Sequence, residues 1–260
     1  MQQSIESIAR TLHLAEKQCA PLPPLSETYE GLTPEQAYAI QRAWLDLKCQ
    51  QHAARLVGHK IGLTSLAMQQ LLGIDQPDYG FLLDEMVVLS AGTLRRSDFI
   101  APRIEPEIAF WLARDLQGPG VSGRDVLAAT RGVSAALELV DSRIHDWRIG
   151  LVDTIADNAS SARVIVSEQV RAVEQLDLAA EQVVLQSNGE QVGEGSGAAV
   201  LGHPALAVAW LANKLAEFGV KLRAGHLLLP GAMCAAVNVQ EGTTYRAHFA
   251  HLGEVAVHFV

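Results

Sequence analysis

The chain has 260 residues, 49% hydrophobic and 19% charged, enough to bury a large core, which excludes collagen-like, low-complexity and mainly disordered classes. Twenty basic against twenty-nine acidic residues leave a formal charge of −9. That balance argues against a nucleic-acid partner, because such proteins concentrate Lys and Arg.

In chain order, Ile5, Ile8, Ala9, Leu12 and Ala15 recur at helical spacing behind Ser4, a candidate N-cap. Pro21 to Pro24 break that helix. Thr33-Pro34-Glu35-Gln36 then combines a capping box with proline at the first helical position, and Ala37, Ile40, Ala43, Trp44 and Leu47 supply the apolar stripe of a second helix. Beyond residue 55 the texture turns to short β-like runs: 56–60, 86–89, 105–112, 135–140, 163–166, 182–186, 226–229, 245–249 and 254–260. Asn188-Gly189 between two such runs is a hairpin signal. Helical pieces are expected at 65–72, around 124–130, and from Pro204 to Gly219. Irregular strand spacing with few helices does not suit a doubly wound sheet. The expected fold class is α+β, with a helical N-terminal region over 1–55 and a mixed, mostly-β domain over 56–260.

Three cysteines, Cys19, Cys49 and Cys234, are too few and too scattered for a disulfide framework or a metal knuckle, which favours a reducing cytoplasm. No apolar run approaches the ~20 residues of a membrane span, and the N-terminus lacks a basic-then-apolar signal, so no membrane partner is expected. No phosphate loop, HExxH or nucleophile elbow is present. Gly193-Glu194-Gly195-Ser196-Gly197 lacks dinucleotide-binding spacing and reads as a turn or bulge. The nine histidines show no ligand spacing and read as surface or capping residues.

The informative segment is Arg103-Ile104-Glu105-Pro106-Glu107-Ile108-Ala109-Phe110. Residues two apart on a strand share a face at about 6–7 Å, so Glu105 and Glu107 point one way and Ile104, Ile108 and Phe110 the other. Adjacent carboxylates beside apolar sequence resist burial unless a cation neutralises them. Glu138, a single acid inside the apolar run Ala135–Val140, needs a partner too, and a shared hard divalent ion, Mg²⁺ or Mn²⁺, would serve all three. Two further polar clusters flank apolar sequence, Gly58–Thr64 with Lys60 between glycines, and Asp153–Ser160.

Taken together, GHKIGLTS (58–65), QPDYG (76–80), PRIEPEIAF (102–110), LELVDSRIHDW (137–147), DTIADNASS (153–161) and LGHPALAVAWLANKL (201–215) resemble the 2-keto-4-pentenoate hydratase family of the fumarylacetoacetate hydrolase superfamily. The resemblance spans nearly the whole chain. It implies a mixed β-roll core, a divalent metal, catabolism of aromatic ring-cleavage products, a homo-oligomer, and association with a related decarboxylase. It places metal ligands at Glu105, Glu107 and Glu138, catalytic groups at Lys60 and Asp78, and substrate-binding groups at Arg103, Ser160 and Ser161.

The implied substrate is a 2-hydroxydienoate or 2-oxo acid, chelated through its carboxylate and C2 oxygen while the ion stabilises enolate charge. Lys60 could move protons, its pKa lowered by the cation, and Asp78 could orient water. His145, Asp146 and Trp147 could aim a water at C4. The expected activity is hydration of 2-hydroxypenta-2,4-dienoate or an alkyl homologue. The alternatives are a 4-oxalocrotonate-type decarboxylase, towards which GAMCAAVNV (231–239) leans, an acylpyruvate-type C–C hydrolase, and a non-catalytic partner subunit.

Overall fold

A computed structural model of the chain describes residues 4–65, 69 and 76–260. The expected helix at 65–72 lies outside the described residues, Ser65 and Gln69 apart.

The N-terminal helices form where their caps are strongest. Ile5–Gln18 starts at Ser4, whose hydroxyl accepts from Ser7 N. Pro34–His52 starts at Thr33, where the hydroxyl takes the Gln36 amide and the Gln36 side chain takes the Thr33 amide. Such a cap stabilises a helix by about 1 kcal/mol. Both helices bury their apolar stripes, Ile8, Leu12, Ile40 and Trp44 among them, against one face of a mixed sheet.

That sheet has eight strands among the described residues. They are β1 (Leu56–Gly62), β2 (Asp78–Leu83), β3 (Val87–Leu89), β5 (Arg103–Leu112), β6 (Thr130–Val140), β7 (Ser161–Val166), β10 (Leu227–Leu229) and β11 (Val237–Asn238). Their order is β2-β1-β10-β5-β6-β7-β3, with β11 on β5. A second sheet, β4-β13-β12-β8-β9, comprises β4 (Gly92–Leu94), β8 (Gln182–Ser187), β9 (Glu190–Ser196), β12 (Thr243–Phe249) and β13 (Gly253–Phe259). The main core lies between the sheets and the helix Pro204–Ala216, and it includes Ile104, Ile108, Phe110, Leu137, Leu185 and Val257. The fold is the mixed α and β architecture expected. No helix among the described residues is long and apolar enough to cross a membrane.

The hairpin forms as expected. Asn188 and Gly189 hold φ of 47° and 88°, the left-handed pair that a two-residue turn demands. The glycine-rich run that follows lies in β9, and the β8–β9 register shifts there, with Leu185 opposite Gly193 and Gln186 opposite Gln191, so the bulge expected of it is present and the turn is not. A Cβ on Gly195 would lie 1.9 Å from Met233 O. Its bare backbone therefore seats the 231–234 segment, which in turn reaches β5 through Met233 N to Pro106 O.

The reading of all histidines as surface or capping groups also needs correction. His203 does cap the Pro204 helix, but His59 is buried, 5% exposed, inside β1. Burial, reinforced by neighbouring His226, pushes its pKa down to about 3. β1 is covered on both faces, so its alternate residues have no solvent side on which to put an imidazole.

Candidate active site and metal centre

β5 and β6 pair antiparallel with Glu105 opposite Glu138 and Glu107 opposite Ala136. This register gathers three carboxylates on the face away from the inter-sheet core. One oxygen from each lies within 4.8 Å of the others, and Glu107 and Glu138 are fully buried.

Part of each buried carboxylate is held by the protein. Glu107 Oε2 accepts from Gly231 N at 2.7 Å, and Glu138 Oε1 accepts from the Ser161 hydroxyl at 2.7 Å. Of the other halves, Glu107 Oε1 has no hydrogen-bond partner among the described residues, and Glu138 Oε2 has none but faces the Lys60 ammonium at 3.2 Å. Buried carboxylate oxygens left this way cost several kcal/mol unless a cation meets them. Burial, with Glu138 beside them, raises Glu105 to about 7 and Glu107 well above the carboxylate range. An all-oxygen set of three acids suits a hard divalent ion, so these residues fit a divalent-metal site.

Lys60 reaches this cluster from β1. Its Nζ donates to Ala159 O at 3.0 Å and lies 3.2 Å from Glu138 Oε2. Burial alone would discharge the ammonium, but Glu138, Asp78, Glu105 and Glu107 outweigh it and hold the pKa above its ordinary range. The lowering expected from a bound cation is thus opposed by the ligands themselves. Asp78 sits on the neighbouring strand, paired with Gly62, and its Oδ2 accepts from the Thr154 hydroxyl at 2.9 Å. Its Oδ1 is buried without a partner. Burial raises its pKa against the pull of Lys60.

Gly62 makes this placement possible. A Cβ there would lie 2.2 Å from Asp78 Oδ1 and 3.4 Å from Lys60 Nζ. Gly62→Ala is therefore expected to displace the Asp78 carboxylate and lower turnover by about 10-fold or more, as misplacing a reacting group does, with the helical and strand content retained. Steady-state kinetics alongside circular dichroism check this. An alanine variant with wild-type turnover would show that Asp78 does not need that position.

The remaining expected residues fall at different distances from the cluster. Arg103 shares the Glu105 face of β5, and its guanidinium carbon lies 4.2 Å from the ring centre of Trp147. Trp147 Nε1 donates to Ala101 O, which fixes the indole as a platform beside β5. His145 and Asp146 pair with each other on the exposed surface and do not join the cluster. Ser161 meets Glu138 as above. The Ser160 hydroxyl turns to Asp157 Oδ2 at 3.4 Å.

Behind these groups lies a buried network that the sequence reading did not assign. Arg143, 1% exposed, pairs with Asp157 at 2.5 Å and donates to Asp141 O and Ser161 O. Burial raises Asp157 to about 6 even with Arg143 against it. The segment that follows is strained, with Asn158, Ala159 and Ser160 at φ of 56°, 49° and 57°. Left-handed backbone costs about 1–2 kcal/mol at each non-glycine residue and persists only where surroundings impose it. The polar signature Asp157-Asn158 beside apolar sequence was the available signal for it.

Three converging buried carboxylates on a mixed-sheet scaffold, with a lysine and an aspartate against them, have the chemistry of a divalent-metal enzyme site. Residues 48–260 match the family model described as fumarylacetoacetate (FAA) hydrolase C-terminal. The chain belongs to the fumarylacetoacetate hydrolase family, and within it to the 2-keto-4-pentenoate hydratase group. It is 42% identical to a 2-hydroxyhexa-2,4-dienoate hydratase of Comamonas testosteroni, over 99% of this chain and 98% of that one. It is 41% identical to a 2-keto-4-pentenoate hydratase of Burkholderia vietnamiensis, over 98% and 97%. Among solved structures, a 4-oxalocrotonate decarboxylase of Pseudomonas putida complexed with magnesium and adipate superposes with a TM-score of 0.95 at 36% identity, covering 98% of this chain and 97% of that one.

Proposed function

We propose that this protein is a metal-dependent hydro-lyase of aromatic catabolism that adds water to 2-hydroxypenta-2,4-dienoate, or a close alkyl homologue, to give a 4-hydroxy-2-oxo acid. The observation that carries this reading is the buried Glu105–Glu107–Glu138 cluster with Lys60 packed against it. The three glutamates would hold Mg²⁺ or Mn²⁺, and full-length relatives at 41–42% identity named as hydratases favour hydration.

Bound there, the ion would supply Lewis-acid stabilisation of charge on the substrate's C2 oxygen. The reaction needs a proton at C5 and loss of the C2 hydroxyl proton, which converts the dienol into a 2-oxo-3-enoate. Water then adds its oxygen at C4 while a proton goes to C3. Lys60 moves protons along the substrate, a role supported by its position between Ala159 O and Glu138. Asp78 presents an unpartnered Oδ1 beside it and orients the attacking water. Arg103, whose guanidinium lies over Trp147, receives substrate carboxylate at the edge of the cluster. Ser161 acts through Glu138, while Ser160 supports Asp157. We further propose a cytoplasmic homo-oligomer that associates with a decarboxylase of the same pathway.

The structural likeness to a decarboxylase keeps that activity as the second reading, since loss of CO₂ would use the same cluster. Purified protein with Mg²⁺ is expected to bleach the ultraviolet absorbance of 2-hydroxypenta-2,4-dienoate and to form 4-hydroxy-2-oxopentanoate. In ¹⁸O water, mass spectrometry should find label at C4, with little CO₂ released from 2-oxohex-3-enedioate. Fast CO₂ release from the diacid with no label at C4 would replace the hydratase by the decarboxylase.

A further inference from the structure

Lys60 carries its ammonium on a flexible four-carbon stem, and its one hydrogen-bond acceptor among the described residues is a backbone carbonyl, Ala159 O at 3.0 Å. Where that carbonyl points is set by the left-handed segment Asn158–Ser160. The Asn158 side chain fastens this segment to strand β2. Its Oδ1 accepts from Phe81 N at 2.7 Å, and its Nδ2 donates to Phe81 O at 3.1 Å. β2 is the edge of its sheet, so Phe81 presents an outward N–H and C=O with no strand to meet them. The carboxamide supplies both missing partners, as a neighbouring strand would.

The fit is made from both sides. Gly80 faces the loop, and a Cβ there would lie 2.5 Å from Asn158 O and 2.8 Å from Asn158 Oδ1. Gly80 is also the residue that pairs with Lys60 across the β1–β2 ladder. The clamp therefore grips β2 at Phe81, one residue from the lysine's cross-strand partner. Asparagine is one of the few residues that tolerates the left-handed region. It thus serves both the backbone shape and the clamp.

We propose that Asn158 is a positioning residue for the reaction, locking the Ala159 carbonyl onto β2 so that the Lys60 ammonium is held in line for proton transfer. The proposal rests on the assignment of Lys60 to proton transfer made above. Asn158 itself contacts neither the carboxylate cluster nor the substrate's place there. Its removal should impair the chemical step and spare binding.

The test is a double-mutant cycle with Mg²⁺-loaded enzyme. Asn158→Ala is expected to lower kcat about 10-fold or more, in the range seen for groups that orient a reacting side chain. KM and Mn²⁺ affinity by calorimetry should stay near wild type. In a Lys60→Ala background the same substitution should cost nothing further, because residues that act as a unit are not additive. Asn158→Gly relieves the left-handed strain while deleting the clamp, and it serves in the same cycle if the alanine variant fails to fold. It should be as impaired as the alanine variant. Wild-type turnover in the glycine variant, or an equal loss with and without Lys60, would overturn the positioning role while leaving Lys60 in place. Near wild-type turnover in Lys60→Ala alone would instead remove the parent assignment, and this proposal with it.

Discussion

Replacing Glu107 with Gln is expected to weaken Mn²⁺ binding by about 10²-fold or more, since even groups that only orient a metal ligand cost 10–100-fold. The amide keeps the shape of the side chain, and its oxygen can still accept from Gly231 N, now at 2.7 Å from Glu107 Oε2. What disappears is one charge on a fully buried group whose second oxygen has no partner. In the metal-free protein that buried, half-unpartnered carboxyl is a liability, and burial, then Glu138 and Glu105, push its pKa up. Metal-free Glu107→Gln should therefore melt at or above the wild-type temperature, because an amide need not take up a proton to be buried, whereas a carboxyl whose pKa rises on folding must. Weaker metal binding with unchanged or higher apo stability separates a ligand from a structural acid, which would lose stability when neutralised. Titration calorimetry and thermal melting read the two halves. Unchanged Mn²⁺ affinity would remove Glu107 from the metal site.

Much of the site could be read from sequence because strand periodicity is strict. Two glutamates at i and i+2 must share a face, and a third inside an apolar run must find a partner, so Glu105, Glu107 and Glu138 were named before their register was known. Local chemistry was equally legible at the Ser4 and Thr33 caps and at the Asn188-Gly189 turn, each specified by residues within four positions. Strand β2 escaped notice. All six of its residues are buried, so it shows no alternation, and Gly80 inside it reads as a strand breaker. The helix Leu151–Ala156 was hidden in a polar cluster too short for helical periodicity to register. The left-handed turn at Asn158–Ser160 could not be inferred from three non-glycine residues that avoid that region locally. It is imposed by contacts from far along the chain, Phe81 and Lys60 among them. Gly62 and Gly80 each leave room for a side chain that arrives from a different element, a demand that local sequence does not carry.

Lys60→Ala should lower kcat by about 10²-fold or more, the usual contribution of a positioned acid or base. The structure sharpens why the loss belongs to turnover. Lys60 is 3% exposed, so its role cannot be that of a surface charge that steers substrate from solution. Four carboxylates, Glu138 foremost, face it and oppose the discharge that burial would bring. A donor held by one carbonyl and one carboxylate has a defined direction, and the enolate carbon must come to it. Removing the side chain also leaves Glu138 Oε2 without its 3.2 Å neighbour, which would strengthen the pull of that carboxylate on a cation. Mn²⁺ affinity in Lys60→Ala should therefore hold or rise while kcat collapses. Lys60→Arg keeps the charge but carries it on a longer, planar group that does not release protons near neutrality, so it should retain metal binding and recover little turnover. Stopped-flow bleaching of the dienoate with saturating metal reads kcat, and calorimetry reads the metal. If Lys60→Ala turned over at the wild-type rate with metal bound, proton transfer would have to be reassigned, and Asp78 with its free Oδ1 would be the group that takes it.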